Sequence, residues 1–366
     1  MMLKFLFAFL LLAHGLIHFM GFAKAFKFGD LPLLRETSIT AGITWLITAL
    51  LFMIAVVLFL LHKNSWPLVL LVAVFISQVL IILVWKEAKA GTIFNIIALL
   101  AAVGELTTQN FEARFIQDVN ANFARNNNSI GGLVTLEDIE HLPPPVRQYL
   151  LYTGVVGLPK LTNMRISFTG EMRDKGKPWF PFETVQYNFF EHPARLFFMK
   201  ARMRGIMVPG YHRYQDEKAS MDIRLFGLVP VAQAKGVEMD KAETVTLFND
   251  LCLFAPAALI DKRILWQGID STCAKAIFTN GQNKITATLY FNATGQLTNF
   301  ISDDRYAISL MQQYRFSTPV KDYKLIDGRS VPTFGEAIWH YPDGLFVYGK
   351  FYLKHIAYNA SSYEEN

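Results

Sequence analysis

"LLLAHGLIHFMGF" occupies residues 10–22 and poses the first structural choice in the chain. The stretch is apolar apart from His14 and His18. Their spacing is about one turn of an α-helix, so both imidazoles fall on one helical face. Extended back to Leu3, the run reaches the roughly 20 residues that cross a hydrocarbon core. The "AKA" that follows at 23–25 resembles a signal-peptide cleavage site. The length of the run and its two histidines favour a retained membrane helix over a cleaved leader.

The rest of the chain divides around this reading. Of 366 residues, 52% are hydrophobic and 14% aromatic, and the excess lies early. Residues 1–105 hold seven Lys/Arg and four Asp/Glu, whereas residues 106–366 hold 28 and 26. Three further apolar segments follow the first: about Gly42 to Leu61, Pro67 to Trp85, and a shorter one from about Ala90 to Gly104. Between them, "HKNSWP" (62–67) offers Asn64 or Ser65 as an N-cap with Pro67 near the first helical position. "KEAKAG" (86–91) is a short charged loop. Trp45, Trp66 and Trp85 fall near the predicted helix ends, where an indole favours the membrane interface. Residues 1–105 are therefore expected to form a transmembrane four-helix bundle.

Lysine and arginine set the orientation. Lys24, Lys27, Arg35, Lys86 and Lys89 lie on one side of the predicted spans. Lys4, Lys63, Arg114 and Arg125 lie on the other. The positive-inside rule places the first group in the cytoplasm. The expectation is a multi-pass protein of the cytoplasmic (inner) membrane, with its C-terminal domain on the extracytoplasmic side. The formal charge of +5 is a modest bias, and no basic face interleaved with aromatics is visible. A nucleic-acid partner is not expected.

The polar residues of the spans can be compared by depth. His14 on the first helix and Gln78 on the third sit near the midplane; His18 and Asn95 lie nearer the cytoplasmic side. Thr44 and Thr48 fall at similar levels. A buried polar group without a partner is costly, so His14, His18, Gln78 and Asn95 are expected to face one another inside the bundle, His14 near Gln78 and His18 near Asn95. A haem needs axial ligands on opposite faces, which two histidines one turn apart cannot supply. A metal needs a third ligand, and the spans contain no internal Asp, Glu or Cys. No cofactor or metal is therefore expected. Intramembrane ionisable residues remain functional candidates, as polar packing or as a ligand or proton site.

After the fourth span, Phe111, Phe115, Val119 and Phe123 recur at helical spacing, with Ile116 beside them. This amphipathic helix has no basic polar face, so it is expected to pack on the following domain or continue the fourth span. Residues 106–131 form the connector, with "NNNSIGG" (126–132) as its hinge. In 132–366 the period changes. "EDIEHLPPPVRQYLLYTGV" reads as a short helix and then a second one entered through prolines. "RISFTGEM" (165–172), "ETVQYNFF" (183–190), "ARLFFMKA" (194–201), "SMDIRLFG" (220–227), "KITATLYF" (284–291) and "GLFVYGKFYL" (344–353) read as strands. Asn280-Gly281 is a hairpin turn. One helix interrupts the strands: "DKAETVTLFNDLCLF", with Asp240 and Glu243 as a capping-box-like start. The predicted fold is α + β: a four-helix membrane bundle followed by a strongly curved antiparallel sheet, open or half-barrel, with an inserted helix. Such a sheet has a concave face that can hold an acyl chain or another hydrophobic ligand. Cys252 and Cys273 belong to no metal-binding pattern and read as buried thiols, with a single disulfide as the alternative.

"HGLIHFMGF", "LPPPVRQYL", "TGVVGLPK", "PWFPF", "YHRYQDEKASMDIRLFGLVPV" and "AETVTLFNDLCLFAPAAL" together resemble an uncharacterised bacterial membrane-protein family, a domain of unknown function, along nearly the whole chain. The resemblance implies no activity and no catalytic residue. The strand order and inserted helix are also similar to lipoprotein-carrier (LolA/LolB-like) sheets, which hold acyl chains in a concave groove.

The densest polar set is "GYHRYQDEKASMDIRLFG". On a strand, His212 and Tyr214 share one face, Tyr211 and Arg213 the other. A histidine near Asp and Arg can do acid–base work, but salt bridges on a solvated strand pair explain the same residues. No G-x-S-x-G, HExxH or glycine-rich phosphate loop is present. Tyr211, His212, Tyr214 and Arg224, with Trp179, Trp266 and Arg305, are the candidate ligand-binding residues. No catalytic residue is assigned. The leading expectation is a membrane-anchored protein that binds a lipid or other hydrophobic ligand. An enzyme acting through the His212 region and a structural factor of an envelope complex are the alternatives.

Overall fold

The computed structural model describes residues 2–28, 38–126 and 131–364. It divides into two compact units, Met1–Asn110 and Phe111–Asn366. Arg35 and residues 127–130 of the expected hinge lie outside the described residues.

The first unit contains α1 (Met2–Ala25), α2 (Ile39–Leu60), α3 (Trp66–Leu83), the single turn α4 (Trp85–Ala88) and the first part of α5 (Gly91–Arg125). Four of these helices, α1, α2, α3 and α5, are long and apolar enough to cross a membrane. Helix α2 begins earlier than the apolar run suggests, because Ser38 caps it by accepting from the Ala41 amide at 3.2 Å. The fourth apolar segment and the amphipathic stretch after it form one uninterrupted helix, α5.

Phe52, Leu70, Ala73, Ala98 and Ala102 form the centre of this unit, and all are fully or almost fully buried. Small residues bring α1 and α2 close. A Cβ on Gly21 would stand 2.4 Å from the Trp45 ring, and one on Gly42 would stand 2.2 Å from the Ala25 Cβ. Trp45 is itself buried, so its ring has little room to yield. Gly21→Val is expected to cost about 1–3 kcal/mol of bundle stability by overpacking. Denaturant unfolding in detergent micelles, monitored by tryptophan fluorescence, checks this. An unchanged midpoint would mean that α1 and α2 do not meet at Gly21.

In the second unit, helices α6 (Leu136–Glu140) and α7 (Pro144–Thr153) precede the strands. Thr135 and Asp138 form a reciprocal capping box on α6, and α7 starts at Pro144 and ends at left-handed Gly154. Thirteen strands then form one antiparallel sheet in the order β6-β5-β4-β3-β2-β1-β15-β14-β13-β10-β9-β8-β7. The strands of this sheet are β1 (Asn163–Met172), β2 (Phe180–Phe189), β3 (Ala194–Met203), β4 (Ile206–Gln215), β5 (Lys218–Leu225), β6 (Val229–Lys235), β7 (Ile264–Gly268), β8 (Cys273–Asn280), β9 (Asn283–Phe291), β10 (Leu297–Ser302), β13 (Arg315–Ile326), β14 (Arg329–Tyr341) and β15 (Gly344–Tyr358); the short β11 (Tyr306–Ala307) and β12 (Gln312–Gln313) pair with each other apart from it.

The inserted helix, α8 (Val237–Phe254), touches β4, β5 and β6 on one arm of the sheet, β9 and β10 on the other, and β14 between them. Only a sheet curled around the helix permits this. The two arms also meet at a pair of hairpin turns. Glu217 in the β4–β5 turn accepts from the Gln282 amide at 2.9 Å, and its carbonyl accepts from Asn283 Nδ2 at 2.9 Å. The Asn280-Gly281 turn expected from the sequence is present, with Gly281 at φ 56°. A Cβ there would lie 1.6 Å from Glu217 Cδ, so both the backbone and the close approach require glycine. Edge strands β6 and β7 are not paired with each other, so the sheet is curled but not closed into a barrel.

Alternation along the strands separates two faces. Leu196, Phe198 and Tyr211 point outward to the Phe111, Phe115 and Val119 face of α5. Phe197 and Met199 point inward to the main core around α8. Asp240 and Glu243 do not cap α8, contrary to the capping-box reading. The N-cap is Gly236. Asp240 instead accepts from the Ala219 amide at 2.6 Å and from Lys218 at 3.0 Å. Both carboxylates are buried against the sheet.

Candidate functional site: a groove between the inserted helix and the sheet

Glu243, Thr246, Asn249, Asp250, Leu253 and Phe254 recur on one face of α8 and border a groove of about 140 Å³. Its opposite wall is the inner face of the sheet. Phe168 and Met172 come from β1, Phe197 and Met199 from β3, Phe316 and Val320 from β13, and Phe351 from β15. The volume is close to that of a cavity that admits one benzene ring. The groove is open at its mouth, so a longer chain need only place part of its length inside.

The polar end of the groove is a buried ionic network. Arg195, on the inner face of β3, donates from Nε to Asp250 at 2.7 Å, from Nη1 to Glu243 at 3.0 Å and from Nη2 to Gln186 at 3.0 Å. Gln186 and Asn188 on β2 donate to the same Asp250 oxygen at 2.7 and 3.2 Å. His212 on β4 contacts Glu243 Oε1 through Nδ1 at 2.9 Å. A carboxylate only accepts, so Nδ1 carries the proton and Nε2 of a neutral ring carries the lone pair. Burial alone would raise the Glu243 carboxyl. The Arg195 charge and the His212 hydrogen bond outweigh it and hold the group at about 2. Burial would likewise lower the Arg195 guanidinium, but Asp250 and Glu243 keep it above its ordinary value.

Arg305 enters the groove from the segment between β10 and β13. Its guanidinium lies over the rings of Phe316 at 4.1 Å, Trp339 at 4.9 Å and Tyr348 at 6.0 Å. Its Nη1 donates to the Tyr348 hydroxyl at 2.9 Å.

Of the residues singled out from sequence, His212 and Arg305 line the groove. Tyr214 shares the His212 face but is fully buried beyond the groove, held by Thr244 and Asn280 at 2.8 Å each. Tyr211 is on the outer face and donates to Asp118 of α5 at 2.8 Å. Arg224 pairs with Asp222 at 2.8 Å and lies over Phe111. Trp266 donates to the Leu259 carbonyl at 3.2 Å and packs on Phe248 in the core. Trp179 lies between Arg173 and Lys350, away from the groove lining. Arg195, Glu243 and Asp250 form the polar end of the groove and were not singled out. Cys252 and Cys273 are buried free thiols, and burial pushes the Cys252 thiol well up.

The four polar residues of the apolar helices also come together, with different pairings from those expected. His14 Nε2 meets Asn95 Oδ1 at 3.0 Å, and Asn95 Nδ2 donates to Gln78 at 3.0 Å. His18 Nε2 meets Ser77 Oγ at 2.9 Å, while its Nδ1 donates to the His14 carbonyl at 2.9 Å. Ser77 and Asn95 are bonded to each other, and Gln78 donates to Thr92 at 3.2 Å. Depth matching found the cluster. The rotation of α3 decides that Ser77, rather than Asn95, meets His18.

Residues 132–351 match the profile of a family of unknown function, DUF6544. The chain belongs to this family. Every residue lining the groove, from Phe168 to Phe351, lies inside the DUF6544 region, whereas α1–α5 precede it. No curated protein matches the chain. Among solved structures, a DUF1329 family protein from Desulfovibrio piger aligns with a TM-score of 0.34 and 10% identity, over 59% of this chain and 92% of that one.

Proposed function

We propose that the protein is anchored in the cytoplasmic membrane by α1, α2, α3 and α5, and binds a lipid or other hydrophobic ligand in the groove of its sheet-bearing unit. One observation carries this reading: the curled sheet stops short of closure and leaves an aromatic and methionine-lined groove against α8. The lysine and arginine distribution supports an extracytoplasmic side for the C-terminal unit. A half-open sheet around one helix also accords with the lipoprotein-carrier likeness, in which acyl chains occupy the concave face.

The test is native mass spectrometry of the full-length protein in nanodiscs, with lipid extraction of the same sample. A stoichiometric apolar species is expected on the wild type. It should be lost from Val320→Trp, which fills the groove beside Gly335. A wild type without a bound species across several lipid mixtures would contradict the proposal.

A second reading has its own observation. The His212–Glu243 pair borders the groove, an arrangement that can orient a histidine as a general base toward a water. The enzyme reading requires turnover of the extracted species that His212→Gln abolishes while leaving binding intact.

A further inference from the structure

We infer that Arg305 is the head-group site of the groove and selects an amphiphile with an anionic head, a carboxylate or a phosphate, on an apolar chain. The inference rests on the groove reading above and specifies its ligand. Both carboxylates at the polar end are already engaged. Asp250 and Glu243 are held by Arg195, and Glu243 also by His212. The neighbouring Asp303 and Asp304 pair with Arg315 and Lys241. Glu336 borders the groove but alternates with Gly335 and Ala337 on β14 and stands opposite Lys350, on the other face of the sheet. Among the described residues, no carboxylate lies within ion-pair distance of Arg305; its charge reaches Glu243 only as a weaker, longer-range attraction beside those of Arg195 and His212.

The guanidinium is nonetheless far from bulk water on one side. Three aromatic rings cover it, and its Nε is buried without a hydrogen-bond partner. A buried donor left unmade is costly, more so when charged. The fork geometry of guanidinium matches two oxygens of a carboxylate or phosphate. An anionic head at Arg305 would satisfy Nε, while Phe316, Val320 and Phe351 receive the adjoining chain. Carboxylate and phosphate heads meet the guanidinium through the same bidentate contact.

Binding of decanoate, decyl phosphate and 1-decanol to the full-length protein in nanodiscs, measured by native mass spectrometry, tests this. The wild type is expected to hold one or both anionic probes at least about tenfold more tightly than 1-decanol, as a charged hydrogen bond in a desolvated site provides. A decanoate preference alone identifies a carboxylate, and a decyl phosphate preference a phosphate. Arg305→Gln should erase the preference for the anionic probes over 1-decanol; Arg305→Lys should recover part of it. Equal binding of all three by the wild type, or a preference that survives in Arg305→Gln, overturns the inference while leaving the groove intact. Binding of none of the probes, or binding unaffected by Val320→Trp, overturns the groove reading and this inference with it. Thermal unfolding of each variant confirms that the comparison is between folded proteins: Arg305→Lys that binds 1-decanol normally yet shows no anion preference also counts against the inference.

Discussion

Replacing Arg195 with Met is expected to destabilise the sheet-bearing unit by about 3–5 kcal/mol, the cost of removing one partner from a buried ion network. The cost does not come from the lost attraction alone. Asp250 remains buried on α8 without its counter-charge, Glu243 keeps only its His212 contact and the weaker pull of Arg305, and Gln186 loses the Nη2 donor that orients it. The effect should depend on pH. The Glu243 carboxyl lies at about 2 in the folded protein, against an ordinary 4.5. A lowered folded value stabilises fully above about 4.5, and that contribution is lost as pH falls toward about 2. The gap in urea midpoint between wild type and Arg195→Met, followed by far-UV circular dichroism, should therefore narrow from about pH 7 to about pH 3. A gap of equal size at both pH values would contradict the network's charged state.

Phe248→Ala should cost a similar amount, about 3–5 kcal/mol, for a different reason. Phe248 is fully buried on the side of α8 opposite the ionic network. Its ring stacks on Phe278 of β8 at 5.0 Å and meets Phe300 of β10 edge-on at 5.9 Å. Truncation removes the transfer free energy of the ring and leaves a cavity that rigid strands cannot fill. Phe248→Leu should recover part of the loss. Because this contact joins α8 to the β8–β10 arm, the alanine variant should also raise hydrogen exchange along α8. A loss below about 1 kcal/mol, with α8 still protected, would mean that the helix is not held by this arm.

These two residues illustrate what the sequence disclosed and what it withheld. Alternation on β4 placed His212 and Tyr214 on one face correctly, because a strand's period is a local property. The curled sheet with an inserted helix was legible from strand runs, the Asn280-Gly281 turn and a single helical interruption. Arg195, Glu243 and Asp250 were not, because each has a sufficient local explanation. Arg195 starts an apolar strand, Glu243 sits where a capping residue would, and Asp250 stands near the end of a helix. Their pairing depends on how far the sheet curls, which no short window encodes. The pairings of the polar cluster among the apolar helices failed in the same way at finer scale. Depth along each helix is countable from sequence, but rotation about the helix axis is not. His14 therefore found Asn95, and His18 found Ser77.

The proposed ligand site is the groove of the sheet rather than only the apolar surface of the helices. Photolabelling with a diazirine-bearing fatty acid, followed by peptide mapping of the full-length protein in nanodiscs, tests it directly. Label on peptides carrying Phe168, Met199, Leu253 or Val320, suppressed by Val320→Trp, is the predicted result. Label confined to peptides of α1, α2, α3 and the first part of α5 would contradict it.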